Sequence, residues 1–121
     1  MKTSSGGSCR DLDVWAKGMD LVDAIYDITR KLPDEERYAL CTQMRRAVVS
    51  VPANIAEGYG RMTRGEYVHH LRYANGSLKE VETQLLVAGR QGYITKTDAK
   101  PAGSLLQEVG KMLLALIRKL S

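Results

Sequence analysis

The sequence predicts an all-α protein, an up-down-up-down antiparallel four-helix bundle. Apolar residues recur at spacings of three and four in four separate segments, the pattern of a helix with one buried face. The connections between segments are short, which favours antiparallel neighbours. No alternation typical of a β-strand competes with this pattern. We predict helices over residues 12–31, 35–58, 64–91 and 97–119, within a bundle domain of residues 11–121.

Residues 1–10 are rich in Ser and Gly, and we predict that they form a disordered tail. The remaining composition is that of a soluble globular protein, with 44% hydrophobic and 26% charged residues in the whole chain. Neither a signal peptide nor an apolar run of membrane-spanning length is present, so we expect a cytoplasmic protein. Cys9 and Cys41 have no spacing typical of a disulfide framework or a zinc site.

The first predicted helix has a candidate N-cap at Asp11 or Asp13. Leu32-Pro33 ends the helix, because a residue before proline is pushed out of the α region. Four flanking apolar positions widen its main apolar stripe, so a broad arc is expected to be buried. The main stripe is Trp15, Met19, Val22, Tyr26 and Thr29, and the flanking positions are Val14, Leu21, Ile25 and Ile28.

The second predicted helix opens with the acidic run Asp34-Glu35-Glu36, which complements the positive end of a helix dipole. Pro52 lies inside this helix at a cost of about 3 kcal/mol, so strong packing on both sides is expected. Gly58 or Gly60 is the expected left-handed residue at the C-terminus. The core face is Met44, Val48, Val51 and Ile55.

Cap signals also bound the third and fourth helices. Thr63 and Glu66 form a capping-box pattern, and Gly89 and Gly92 bracket the end of the third helix. Thr95 or Thr97 is expected to cap the fourth. The third helix has the stripe Tyr67, Leu71, Ala74, Leu78, Val81, Leu85 and Ala88. The fourth has Leu105, Val109, Met112, Leu116 and Leu120, with Leu106, Leu113 and Ile117 beside it.

Five short motifs occur in order along the chain: Asp11-Leu12-x-Val14-Trp15, Leu32-Pro33, Gln43-x-Arg45-Arg46-Ala47, Ser50-Val51-Pro52-Ala53-Asn54-Ile55-Ala56-Glu57-Gly58 and Gly76-Ser77-Leu78-x-Glu80. On these motifs, the chain from about Arg10 to its C-terminus resembles the four-helix bundle proteins encoded in intervening sequences of bacterial 23S rRNA genes. The resemblance implies assembly into a closed ring, commonly a pentamer. Related bundles are basic accessory proteins of diversity-generating retroelements, where they bind RNA and a reverse transcriptase.

Two polar clusters have a structural and a functional interpretation. Pro52 is flanked by Ser50, Asn54 and Glu57. In the functional interpretation these side chains bind a ligand. In the structural one, Ser50 and Asn54 bond to backbone groups that the proline leaves without a partner, and Glu57 pairs with a neighbouring Arg. The other cluster is Glu66-x-x-His69 with His70, on the third helix. Di-iron bundles use Glu-x-x-His on two helices with two further Glu, whereas this chain has one copy. We therefore expect ordinary histidines, with a metal site shared between subunits as the alternative.

Positive charge is concentrated from the second helix into the third, where Lys79 and Arg90 extend it, while acidic residues cluster earlier in the chain. Groups of Arg and Lys are typical phosphate contacts, and the net charge of +4 permits an anionic partner. Tyr59 and Tyr67 are candidate stacking surfaces for bases. The candidate nucleic-acid-binding residues are Arg45, Arg46, Arg61, Arg64 and Arg72.

The sequence favours a non-catalytic protein. Its Ser, Cys and His residues show no spacing typical of a nucleophile and its base. We expect no catalytic residue, no resident metal and no cofactor. The predicted function is a ring-forming homo-oligomer, most often a pentamer, that binds RNA or DNA. The alternative is a protein-interaction scaffold whose basic groove receives an acidic protein partner.

Overall fold

Four long helices form an antiparallel bundle in the computed structural model, which describes residues 9–121. They are α1 (Cys9–Thr29), α2 (Leu40–Tyr59), α3 (Arg64–Arg90) and α4 (Lys96–Leu120). Each helix packs against the next, and α4 returns to pack against α1, so the four surround one core. No strand occurs within residues 9–121. The predicted bundle is confirmed, while residues 1–8 of the predicted tail lie outside the described part of the chain.

The core is built from one apolar face of each helix, and on α2 and α3 it follows the predicted positions. On α4 the positions predicted to lie beside the stripe, Leu106, Leu113 and Ile117, are buried, whereas three of the five predicted stripe positions are only half-buried. Half-buried Tyr67, Leu105, Met112 and Leu120 lie at the edge of the core. The buried core residues of these three helices include Met44, Val48, Val51, Ile55, Leu71, Ala74, Leu78, Val81, Leu85, Ala88, Leu106, Val109, Leu113, Leu116 and Ile117.

On α1 the prediction chose the wrong centre for the buried stripe. The large apolar residues buried on this helix are those predicted to flank the stripe: Val14, Leu21, Ile25 and Ile28. Met19, from the predicted centre, is 41% exposed, and Trp15 is only half-buried. A Cβ atom on Gly18 would lie 3.5 Å from Cβ of Pro52, so α1 and α2 approach closely at that glycine. Both sets of apolar residues have helical spacing, so periodicity alone does not choose between them.

The first turn of α1 also differs from the prediction. The helix begins at Cys9, so Asp11 and Asp13 lie inside it and neither is its N-cap. Asp11 is only 4% exposed, and its Oδ2 accepts a hydrogen bond of 2.9 Å from the Tyr67 hydroxyl. This contact joins the start of α1 to the start of α3.

The connection between α1 and α2 contains a short 3-10 turn at Asp34–Glu36, and α2 starts later than predicted. Ala39 leaves the helical path with φ −121° and ψ −98°. The Glu36 carboxylate instead accepts from the Leu40 amide (3.4 Å) and from the Tyr93 hydroxyl (2.7 Å). The Glu36 side chain thus takes the place of a backbone carbonyl as the acceptor for the Leu40 amide. In this way the acidic run caps α2 from outside the helix.

Neither of the two glycines predicted as the left-handed residue at the end of α2 has a positive φ. Gly58 lies within α2, and Gly60 has φ −82°. Gly92, after α3, has φ +78°. The Tyr93 amide donates to the Ala88 carbonyl (3.0 Å) and the Gly92 amide to the Gly89 carbonyl (3.0 Å), which together form a Schellman motif.

Threonine side chains cap α3 and α4. Thr63 Oγ1 accepts from the Glu66 amide at 3.1 Å, as predicted. Thr95, rather than Thr97, caps α4 in a complete capping box: its Oγ1 accepts from the Asp98 amide (3.0 Å), and Asp98 Oδ2 accepts from the Thr95 amide (2.9 Å). The Thr95 hydrogen bonds lower the pKa of Asp98, and Lys31 at 3.5 Å contributes less.

Candidate nucleic-acid interface

Arg45 is held against α1. Its Nε donates a hydrogen bond of 2.9 Å to Thr29 Oγ1, and its Cζ lies 4.6 Å from the centroid of the Tyr26 ring. The partners of Arg45 are thus a hydroxyl and an aromatic ring of α1. Arg45 therefore fixes α2 on α1.

The other four predicted arginines are exposed. Arg46 lines a groove together with Arg45, whereas the other three follow the end of α2. Arg61 pairs with Glu57 at 2.7 Å, one turn back along the chain. Arg64 opens α3, and Arg72 follows two turns later. Arg45 lies fourteen residues before the end of α2 at Tyr59, about 21 Å along the helix, and Arg61 follows that end.

The two candidate stacking tyrosines pack against each other. Their ring centroids are 6.1 Å apart with the planes at 89°. Tyr67 is half-buried, and burial together with its hydrogen bond to Asp11 raises the pKa of its hydroxyl above the ordinary value. Because the Tyr67 ring and hydroxyl are both engaged within the bundle, Tyr67 is a poor platform for a base.

The histidines of α3 have contacts within the bundle. His70 Nδ1 lies 3.1 Å from Asn54 Oδ1, and the His69 ring centroid is 4.5 Å from that of Tyr73. Among the side chains that the structure describes, residues 11–121, no group of three His, Cys, Asp or Glu has a geometry that could hold a metal ion. A site shared between subunits, with Glu66 as a further ligand, stays an alternative.

A second set of cations lies on α4, and the sequence analysis did not assign it to a site. Lys100, Lys111 and Arg118 are exposed and are spaced by eleven and seven residues. These spacings are close to three and two helical turns, so the three side chains lie along one side of α4. Within residues 9–121 none of them has an ion-pair partner.

An equivalent row lies on α3, where exposed Arg72, Lys79 and Arg90 are spaced by seven and eleven residues. They too lack an ion-pair partner in the described part of the chain. The order of the spacings is the reverse of that on α4. Because α3 and α4 are antiparallel, this reversed order places each cation of one row beside a cation of the other. Glu82 interrupts the α3 row with one negative charge.

Packing between α3 and α4 fixes the register of the two rows. A Cβ atom on Gly110 would lie 3.4 Å from Leu78 Cδ2, and Leu85 and Gly103 line a common groove farther along. In this register the paired cations of the two rows lie within about 3 Å of each other along the helix axis. The pairs are Arg90 with Lys100, Lys79 with Lys111, and Arg72 with Arg118.

These six residues, hereafter the paired cation rows, extend for about 27 Å along α3 and α4. The largest group of exposed acids lies on another helix: Asp13, Asp20, Asp23 and Asp27 are exposed on α1. The mirrored spacing is present in the sequence, but it has meaning only once α3 and α4 are known to be neighbours in this register.

Comparison with known proteins places the chain in a family. The model of the 23S rRNA-intervening sequence protein family matches residues 10–115. The chain belongs to this family. The resemblance inferred from the ordered motifs is thereby confirmed.

Among solved structures, this 23S rRNA-intervening sequence protein is similar to a protein of unknown function from the S23 ribosomal protein family of Bacteroides thetaiotaomicron. The TM-score is 0.83 at 24% identity, over 90% of this chain and 98% of the other. At this identity the likeness supports the fold alone. The curated proteins contain no match. Within residues 9–121, none of the helices has the length and apolar character to cross a membrane.

In this family member the block from Ser50 to Gly58 contacts neighbouring helices. Ser50 Oγ donates to the Ala47 carbonyl (2.9 Å) and bonds to Ser77 Oγ of α3. Asn54 Nδ2 donates to the Ser50 carbonyl at 2.8 Å, while its Oδ1 faces His70 of α3. Two of the motifs that carry the resemblance therefore meet between α2 and α3, and the structural interpretation of Ser50 and Asn54 accounts for their contacts.

Proposed function

We propose that this protein is a non-catalytic, ring-forming homo-oligomer that binds RNA or DNA, with RNA favoured, through the paired cation rows. The observation that carries the proposal is the match of six exposed cations across α3 and α4. Side chains that neutralise phosphates release condensed counterions, which supplies affinity without reading sequence. The rows are about 27 Å long, comparable to about eight phosphates along one strand of a duplex.

The assembly part of the proposal rests on apolar surface and on family membership. Met19 of α1 and Leu114 of α4 are exposed, and Trp15 and Met112 beside them are only half-buried. Exposed apolar surface of this kind marks interfaces. The family resemblance suggests a pentamer, and a ring would repeat the paired cation rows around its axis. Light scattering at micromolar concentration tests this part, and a monomer would overturn it.

Salt dependence of binding to random-sequence RNA tests the nucleic-acid part. The double variant Lys79→Gln with Lys111→Gln removes the middle pair of the rows. It should weaken binding to all sequences and flatten the logarithmic salt slope by about 1–2.

The matched control is Arg46→Gln with Arg61→Gln, which removes the same charge from two arginines that the sequence predicted as phosphate contacts but that lie outside the paired cation rows. It should leave the salt slope close to wild type. A larger effect of the control would move the interface to α2, and binding without salt dependence would contradict phosphate recognition altogether.

A groove between α3 and α4 favours the second candidate function, a scaffold for an acidic protein partner. The groove has a volume of about 450 Å³ and contains Leu86, which is 64% exposed, and Ile94. Arg90, Lys96 and Lys100 line it as well. An acidic amphipathic helix has both the apolar face and the charge for such a groove. Arg90 and Lys100 belong to both the groove and the paired cation rows, so the two functions are separated by measuring binding of RNA and of such a peptide directly. Binding of the peptide without binding of RNA would favour the scaffold.

A further inference from the structure

A concave site lies at the turn between α1 and α2, on helices that do not carry the paired cation rows. Its volume is about 310 Å³. Three arginines line it but only one acidic residue does, although most acids of the chain precede α2. The lining residues used below are Thr29, Arg30, Asp34, Arg37, Thr42 and Arg45.

Arg45 is the fixed element of this site. Its Nε is bonded to Thr29 Oγ1 and its guanidinium lies on the Tyr26 ring. Thr29 is itself 3% exposed, and its hydroxyl donates to the Tyr26 carbonyl at 2.8 Å. The two terminal nitrogens of Arg45 have no hydrogen-bond partner within residues 9–121. A guanidinium held in this way offers a planar pair of donors with little further loss of conformational entropy.

Arg30 and Arg37 are the weakly held elements of the site. Arg30 pairs with Asp27 at 2.7 Å and Arg37 with Asp34 at 3.7 Å. Both pairs are exposed, and exposed ion pairs contribute little free energy. Either guanidinium can therefore turn toward an anion at small cost.

We propose that this site binds the dianionic phosphate group of a small phosphate monoester. Arg45 donates two parallel N–H bonds to one edge of the phosphate, since fork-to-oxyanion pairs of this kind are among the stronger hydrogen bonds. Arg37 and Arg30 balance the second negative charge, and the Thr42 hydroxyl lies at the wall. The volume leaves space beside the phosphate for the group esterified to it. The inference is independent of the proposed nucleic-acid binding.

The test is an NMR titration of the ¹⁵N-labelled full chain at constant ionic strength. The probes are inorganic phosphate and adenosine monophosphate, with adenosine as the probe that lacks phosphate. Saturable amide shifts are expected at Thr29, Arg37 and Thr42. Tighter binding of the monophosphate identifies a monoester as the ligand, whereas equal binding identifies free phosphate; either supports the phosphate site.

Adjacent arginines provide the matched variants. Arg45→Gln should weaken binding about tenfold or more, because it removes a charge-assisted pair of hydrogen bonds. Arg46→Gln removes the same charge one residue away, from a side chain that does not line the site, and should change affinity less than about twofold. If Arg45→Gln fails to fold, Arg37→Gln on the exposed rim supplies the test and should weaken binding measurably.

Three results would overturn the proposal. They are the absence of saturable shifts in residues 29–45, equal weakening by Arg45→Gln and Arg46→Gln, and adenosine binding as tightly as its monophosphate. Shifts spread along α3 and α4 instead would assign the anion to the paired cation rows and leave the proposed function standing without this site.

Discussion

Gly58 of α2 and His70 of α3 approach so closely that a Cβ atom on Gly58 would lie 2.7 Å from Cβ of His70. Tyr67 Cδ1 and the Tyr67 carbonyl oxygen would follow at 2.9 and 3.2 Å. A Cβ atom and a backbone oxygen cannot rotate away from such a contact, so the helices would have to separate. The glycine that ends the Ser50–Gly58 block is therefore required by packing, whereas the sequence analysis considered it, with Gly60, as one of two candidates for a left-handed backbone.

Gly58→Ala should lower the free energy of unfolding by about 1–3 kcal/mol, as overpacking of a tight contact does. Urea denaturation measures the change. The sign of this change in the free energy of unfolding is informative, because Gly→Ala inside an unobstructed helix stabilises the helix by about 1 kcal/mol. Gly60→Ala is the control, since the nearest atoms to its Cβ would be at 3.7 and 3.8 Å. A stabilising effect of Gly58→Ala would contradict the close approach.

Tyr93→Phe should loosen the start of α2 without touching that helix. The Tyr93 hydroxyl donates to Glu36, whose other oxygen accepts from the Leu40 amide. Without the tyrosine, the carboxylate loses the contact that holds it over the helix end. Hydrogen exchange at Leu40 should become faster, and Tyr38→Phe, at a side chain that is 88% exposed, should leave it unchanged. Unchanged exchange in Tyr93→Phe would show that the turn holds Glu36 by itself.

Asp98→Asn should lower the melting temperature at pH 7 and lose its effect in acid. The Thr95 hydrogen bonds lower the pKa of Asp98 in the folded protein. A lowered pKa gives stability that is present above the unfolded value of about 3.9 and is lost as the pH falls through the folded value. The melting temperatures of wild type and variant should therefore converge below about pH 4. A difference that persists unchanged at lower pH would assign the effect to the lost hydrogen-bond geometry instead of charge.

The sequence predicted those parts of the fold in which local signals agree. Periodicity located the four helices and the core face of α2, and threonine caps located the starts of α3 and α4. It failed where two local patterns were equally good, as on α1, where the approach of Gly18 to Pro52 accompanies the observed choice of stripe. It also failed at Glu36, whose partner Tyr93 is 57 residues away.

The candidate interface could be predicted only in part, because a site that spans two helices depends on their register. Arg72, Lys79 and Arg90 were identified from the sequence as part of the positive charge of α3, but the three cations of α4 were not assigned to a site. Arg45 was identified as well, although its contacts with Tyr26 and Thr29 lie across α1 and α2. Residue type and the local density of positive charge in the sequence therefore identify candidate cations. Tertiary packing determines which of these cations lie on one surface.

When Arg45 and Arg46 are each changed alone, only the Arg45 variant should lower the free energy of unfolding. Arg45→Gln removes the hydrogen bond to Thr29 and the contact with the Tyr26 ring, so we expect a loss of about 1–2 kcal/mol in the free energy of unfolding. Arg46→Gln changes an exposed side chain with no partner in the described part of the chain and should stay within about 0.5 kcal/mol of wild type.

The double variant, Arg45→Gln with Arg46→Gln, tests the same assignment against nucleic-acid binding. Its loss of stability should equal that of Arg45→Gln, because Arg46 adds none. Its RNA affinity and salt slope should stay close to wild type, since the phosphate contacts are proposed on α3 and α4. Urea denaturation and a salt-dependent binding series on the same samples measure both. A double variant with wild-type stability and a salt slope flattened by about 1–2 would reverse the assignment and place the phosphate contacts on α2.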